Sequence, residues 1–179
     1  MELLGEAKAL AREYYALTGK PLGVTGEVAE YEAARILGVE LTAARQAGYD
    51  AIEHVGGATK KLQIKGRCLQ ENCKPGQRLG SIRTEHDWDA VLMALLDYEF
   101  NATEIYEAQR ENVEVALKAP GPKARNVRGA LSVSKFKSIG TTAMGKSRFL
   151  TLSDRESKSV QIRNHHTRGD KDATKMAAR

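Results

Sequence analysis

Asp50, Gln63 and Lys65 differ in chemistry and stand at spacings that can bring them together. Tyr49-Asp50-Ala51-Ile52 and Leu62-Gln63-Ile64-Lys65 each read as a short strand, and Gly56-Gly57 between them is a two-residue hairpin turn signal. With those glycines at the centre of the turn, the cross-strand partners run from Val55–Ala58 back to Asp50–Gln63. Residues directly opposite share a face. Lys65 shares it too, because strand side chains alternate, while Leu62 and Ile64 point the other way, into a core. A carboxylate, an amide oxygen and an ammonium then meet on one patch, a donor set suited to a cation and an anionic group side by side. A four-residue turn from Gly56 to Thr59 would set Asp50 opposite Lys65 and keep the three together. A three-residue turn would flip one strand and part them. An ordinary strand with a wet face also carries Gln and Lys, so the pattern alone leaves both readings open.

A helix must supply what the hairpin lacks. Thr25 reads as its N-cap, and Gly26 to Leu37 carry a helical apolar pattern. Ala29, Ala33, Ile36 and Leu37 form the apolar arc, with Glu32 and Arg35 on the far side as a solvated pair. Glu30 falls at the margin of the buried arc, and Glu27, one turn earlier, lies closer to solvent. A carboxylate at the edge of a buried stripe is costly unless a positive group meets it. A metal ion would do so, and so would a nearby Lys or Arg.

These residues carry a resemblance. A glycine four residues before a helical glutamate (Gly26, Glu30), an aspartate opening a hairpin (Asp50) and Gln63-Ile64-Lys65 closing it resemble the PD-(D/E)XK nuclease superfamily. The nearest likeness is to its Mrr-type and VRR-NUC-type branches, where glutamine replaces the usual acid two residues before the lysine. Val91 to Leu96 resembles the next core strand, and Thr103 to Leu117 the strand and helix after it, so the resemblance covers residues 25–118 in outline. It implies a restriction endonuclease-like α/β fold: a three-layer core with a central mixed sheet flanked by helices. It also implies metal-dependent phosphodiester hydrolysis of nucleic acid, with DNA the favoured substrate and a restriction, repair or defence setting. Under it, Asp50 is the central ligand of Mg²⁺ or Mn²⁺, joined by Glu30 directly or through water, the Gln63 side-chain oxygen and the Ile64 backbone carbonyl. Lys65 orients the attacking water or stabilises developing negative charge. An amide in place of a carboxylate lowers the negative charge of the site by one and should weaken metal affinity. The alternative is a nucleic-acid-binding module on the same fold with its hydrolytic chemistry lost. A metabolic enzyme has little support, since the chain has no Walker-type or dinucleotide glycine motif.

The chain has 179 residues, enough for one domain with a real core. No apolar run approaches transmembrane length and the N-terminus has no signal-peptide pattern, which reads as a cytoplasmic protein. Leu3, Ala7, Leu10, Tyr14 and Leu17 form the stripe of an amphipathic first helix within residues 1–18. Cys68 and Cys73 read as free thiols, although His54 and His86 could complete a zinc site with them.

Charge is unevenly placed. Residues 1–114 hold 13 Lys and Arg against 19 Asp and Glu, whereas residues 115–179 hold 15 against 4. Between Glu114 and Asp154 there is no acid, and Lys123, Arg125, Arg128, Lys135 and Lys137 are the candidate phosphate contacts. A basic run of this kind is also often a solvated tail. Ala130 to Phe136 reads as a strand. Residues 141–179 read as a basic, poorly ordered extension to a nuclease-like domain at 1–140, with His165-His166 a solvated pair. The partner classes are nucleic acid, no membrane, and an optional second copy of the chain. Strands are expected near 48–54, 60–67, 89–97 and 103–107, with 91–96 central because its unbroken apolar run needs burial on both faces, and a helix near 109–118.

Overall fold

The computed structural model describes residues 2–20, 22–43, 48–69, 76–121 and 123–144. Residues 145–179, with His165-His166, and Cys73 lie outside the described residues. In chain order the elements are α1 (Glu2–Thr18), α2 (Thr25–Leu37), β1 (Glu40–Leu41), β2 (Ala51–Val55), β3 (Ala58–Cys68), β4 (Ala90–Leu96), β5 (Ala102–Gln109), α3 (Arg110–Lys118), α4 (Lys123–Asn126), α5 (Val133–Ile139) and β6 (Thr141–Met144).

The strands form one mixed sheet in the order β1-β2-β3-β4-β5-β6, with β3 and β4 parallel and every other neighbouring pair antiparallel. Every residue of β4 is buried, and the strand is interior, as its apolar run requires. One face packs Ala51, Leu62, Ile64, Leu92, Ala94 and Leu96 against Val28, Ala29 and Ala33 of α2. The other packs Val91, Met93 and Leu95 under Val113 and Leu117 of α3, Phe136 of α5, and Leu79, Ile82 and Trp88 from the segment before β4. Helices on both faces of a mixed sheet give the expected three-layer α/β core. β6 continues the sheet through residues 141–144 on the edge of β5.

The hairpin follows the two-residue turn. Gly56 and Gly57 both have positive φ, 58° and 84°, as a type I′ turn demands of its central pair. The ladder runs from Val55–Ala58 to Ala51–Leu62, and beyond it the Asp50 N–H turns to the Leu62 carbonyl rather than pairing with Gln63. At the far end of β3, Gly66 is where helix and sheet approach most closely. A Cβ there would stand 2.5 Å from the Ala29 Cβ and 2.7 Å from the Thr25 carbonyl oxygen. The missing side chain lets α2 sit on the sheet.

Four expectations are corrected. The apolar stripe of α1 faces out, with Leu3 78%, Leu10 58% and Leu17 86% exposed, while Ala11 is buried instead. A charge network sets that orientation: Lys8 Nζ donates to Glu32 (3.2 Å) and to Asn101 Oδ1 (2.8 Å). Glu32 is accordingly not solvated; it is 1% exposed and accepts from Arg35 (2.8 Å) and from the Ala102 N–H (3.3 Å). Burial alone would raise its pKa, but hydrogen bonds from Arg35, Ala102 and Lys8 hold it below the ordinary carboxylate value. Thr25 opens α2 rather than capping it; Val24 takes the cap position, and no side chain closes it. Residues 130–136 are not a strand. Ser132 caps α5 by accepting the Lys135 N–H at 3.2 Å, and Leu131 just before the helix and Phe136 within it are buried.

Candidate functional site

The ladder between β2 and β3 ends at Ala51–Leu62, yet β3 continues to Cys68. Asp50 stands at that opening. Its N–H donates to the Leu62 carbonyl (2.8 Å), and its Oδ2 accepts the Ile64 N–H (2.7 Å), so the side chain takes over where the backbone ladder stops. Strand geometry puts the Ile64 carbonyl on the same edge as that N–H. Gly48, at φ 104°, turns the chain away against the Asp87 backbone, 3.1 Å from where a Cβ would stand.

Gln63 is 5% exposed, so the expected wet face is closed at this position. Its Nε2 donates to the Gly48 carbonyl at 3.2 Å, and its Oε1 is buried with no hydrogen-bond partner. A buried amide oxygen left unpaired carries a desolvation cost of about 1–3 kcal/mol, which a ligand at that oxygen would recover. Lys65 shares the Gln63 face by alternation, and its stem passes Gly80. Among the described residues it forms no hydrogen bond or salt bridge.

Glu30 is half-buried on α2. Burial raises its pKa; the negative charges of Asp50 and then Glu27 raise it further, and Lys65 opposes them. Glu30 therefore lies within the electrostatic reach of both Asp50 and Lys65, although α2 packs on the Leu62–Ile64–Gly66 face. Glu27 is exposed, as expected. Asp50 and Lys65 thus act on the charge of Glu30, while Gln63 lies on the β3 face opposite the one that α2 covers. Among the described residues no group of three or more His, Cys, Asp or Glu could hold a metal by itself. Any cation here needs oxygens from Gln63, the backbone or water.

The basic candidates divide. Arg128 is exposed and Lys135 is half-buried on α5. Lys137 forms an ion pair with Glu104 and lies 5.0 Å from the centre of the Tyr106 ring. Arg125 folds back onto the Ala119 carbonyl (2.8 Å) and that of Pro120, covering the end of α3. Those two are held internally. Lys123 begins α4, and its side chain lies outside the described residues. His54 sits 3.6 Å from Glu40, and no zinc site forms among the described residues. No described helix is long and apolar enough to cross a membrane.

One cation beside the site was missed from the sequence. Arg67, two residues beyond Lys65, shares its face. Alternation along β3 was the signal that could have found it.

No family model matches the sequence, and no curated protein matches it. Among solved structures the chain is similar to a bacterial homing endonuclease, with 16% identity and a TM-score of 0.42 over 77% of this chain and 96% of that one. The three-layer assignment itself rests on the sheet order and the two cores.

Proposed function

We propose that this protein is a divalent-cation-dependent nuclease that hydrolyses phosphodiester bonds in nucleic acid, with DNA the favoured substrate. The observation that carries this reading is the Asp50 carboxylate held by the Ile64 N–H at the opening of the β2–β3 pair, with the buried, unpartnered Gln63 oxygen on β3 and Glu30 within the electrostatic reach of Asp50 and Lys65. The structural neighbour described as a homing endonuclease agrees with the reading but adds no weight to it.

The donors fit a small, hard cation. Mg²⁺ and Mn²⁺ prefer oxygen, and Mg²⁺ keeps several waters while using one or two carboxylates. Asp50 and Glu30 would provide those, with the free Gln63 oxygen and the Ile64 carbonyl completing the protein's share. When bound, such an ion would neutralise phosphate charge and lower the pKa of a water.

The remaining work falls to this chain's own groups. The Ile64 N–H holds Asp50 in one orientation, so its second oxygen is aimed before any ligand arrives. Gln63 is held by its hydrogen bond to the Gly48 carbonyl. Lys65, held in no salt bridge among the described residues, would meet a phosphate oxygen and the charge that develops on it. Glu30, whose proton is held more tightly than usual, is poised to give it up when a cation arrives.

The test is incubation of the full chain with linear, circular and branched DNA and with RNA, with and without Mg²⁺ or Mn²⁺. Cation-stimulated cleavage of at least one substrate is expected. Binding without any cleavage under all these conditions would instead favour a nuclease fold retained as a binding module.

A further inference from the structure

All four Lys and Arg residues of the sheet lie on β3, and they fall into two classes. Lys60 meets Glu53 and Glu107, and Lys61 meets Asp87. Lys65 and Arg67, on the half of the strand beyond the β2 ladder, form no salt bridge among the described residues. Arg67 is half-buried. One terminal nitrogen donates to the Gln77 side-chain oxygen, and its Nε is buried without a partner. A neutral amide fixes the guanidinium in place but does nothing for its charge. Sheltering a cation that no acid among the described residues neutralises is unfavourable, so the arrangement suits an external anion.

The guanidinium is also placed in advance. The Gln77 carbonyl accepts the Val133 N–H at 2.9 Å, the Leu79 N–H donates to the Leu131 carbonyl at 2.9 Å, and Arg78 bridges to Ser132. The segment holding Arg67 is thereby pinned to the start of α5. Along a strand, two residues advance about 6.6 Å. Lys65 and Arg67 are therefore about one nucleotide step apart on one face, with Lys65 next to Gln63 on it.

We infer that Arg67 binds the backbone phosphate next to the one presented to Lys65 and Asp50, and so sets the register in which the strand enters the site. This inference rests on the nuclease reading. A guanidinium offers strong, directed donors to phosphate, and Arg67 keeps one terminal nitrogen that is neither bonded to Gln77 nor enclosed.

The experiment compares wild type, Arg67→Met and Arg67→Lys on oligonucleotides carrying a single neutral methylphosphonate, moved one position at a time past the cleavage point. Arg67→Met should raise KM about tenfold or more, with a much smaller fall in kcat, and lower the salt slope of binding by about one. Arg67→Lys should recover part of the loss. Neutralising one phosphate adjacent to the cut should cost wild type about as much as Arg67→Met, and cost the Met variant little further. Gln77→Leu keeps the charge but frees it; it should move KM in the same direction by less, and it serves if Arg67→Met melts early. Equal methylphosphonate penalties at every position in wild type and variants would overturn the inference while leaving the nuclease reading intact. If wild type neither cuts nor binds any oligonucleotide, both fall.

Discussion

Gly66→Ala is the sharpest structural perturbation available, because it acts on the contact that seats Glu30. The added methyl would stand 2.5 Å from the Ala29 Cβ and 2.7 Å from the Thr25 carbonyl, against a normal carbon–carbon contact of about 3.5–4.0 Å. Backbone and a helical Cβ cannot rotate away, so α2 must retreat by about 1 Å at its N-terminal turn. Overpacking of this kind costs typically about 1–3 kcal/mol. Removing a glycine from a strand returns roughly 0.5–1 kcal/mol. A net loss of up to about 2.5 kcal/mol, centred near 1, remains, a fall in Tm of roughly 2–4 °C per kcal/mol for a domain of this size. Glu30 follows Ala29 directly, so it moves with the helix, and a displacement of about 1 Å at a reacting group can cost about 100-fold in rate. Thermal unfolding followed by circular dichroism measures the first effect, and single-turnover cleavage the second. Ala29→Gly added to Gly66→Ala should restore part of the activity by removing one of the two clashes. A Gly66→Ala protein as stable and as active as wild type would refute the close approach, and with it this account of how α2 is positioned.

Other substitutions separate structural charge from functional charge. Glu30 has a raised pKa, so the folded state holds a proton that the unfolded state releases first, and stability falls as pH rises from the ordinary carboxylate value through the raised one. Glu30→Gln should therefore be more stable than wild type at pH 7 without divalent cations. Urea unfolding from about pH 4 to about pH 8 should show that advantage vanishing in acid. Saturating Mn²⁺ should reverse the order, since at about 100 times Kd a ligand adds about 2.7 kcal/mol to the protein that binds it. Glu32→Ala strands Lys8 and Arg35 beside a buried gap and should cost about 3–5 kcal/mol in denaturant unfolding; a near-neutral result would remove the network as the anchor of α1. Arg128→Ala should weaken nucleic-acid binding and reduce its salt slope by about one, whereas Lys137→Ala, which breaks a pair with Glu104, should mainly lower stability.

The parts of the structure legible in the sequence are those where one local signal dominates. Two adjacent glycines determined the hairpin register, and an unbroken apolar run placed β4 inside the sheet. Both signals survive because no tertiary contact competes with them. The errors came where periodicity was taken for burial. The leucine stripe of α1 predicted the wrong buried face, because Lys8 and Ala11 dock the helix through a charge that only Glu32, distant in sequence, makes favourable. Glu32 looked solvated because its partners come from α1 and β5, which helical geometry alone cannot reveal. Residues 130–136 contain apolar residues compatible with either period, and the Ser132 cap decided for a helix. Of the site, the common face of Gln63 and Lys65 on β3 could be read in advance. The unpartnered Gln63 oxygen, the burial around Glu30 and the neutral partner of Arg67 could not, since each depends on packing across segments far apart in the chain.

The central claim is that Asp50 anchors a cation that this protein uses to cut nucleic acid. Wild type and Asp50→Ala should be compared side by side on plasmid, linear duplex and RNA with Mn²⁺ present, each first shown to be folded. Cleavage by wild type that Asp50→Ala abolishes is the result expected, because without that carboxylate the remaining donors cannot retain the ion. Equal activity in the two proteins, whether at background or well above it, would contradict the assignment.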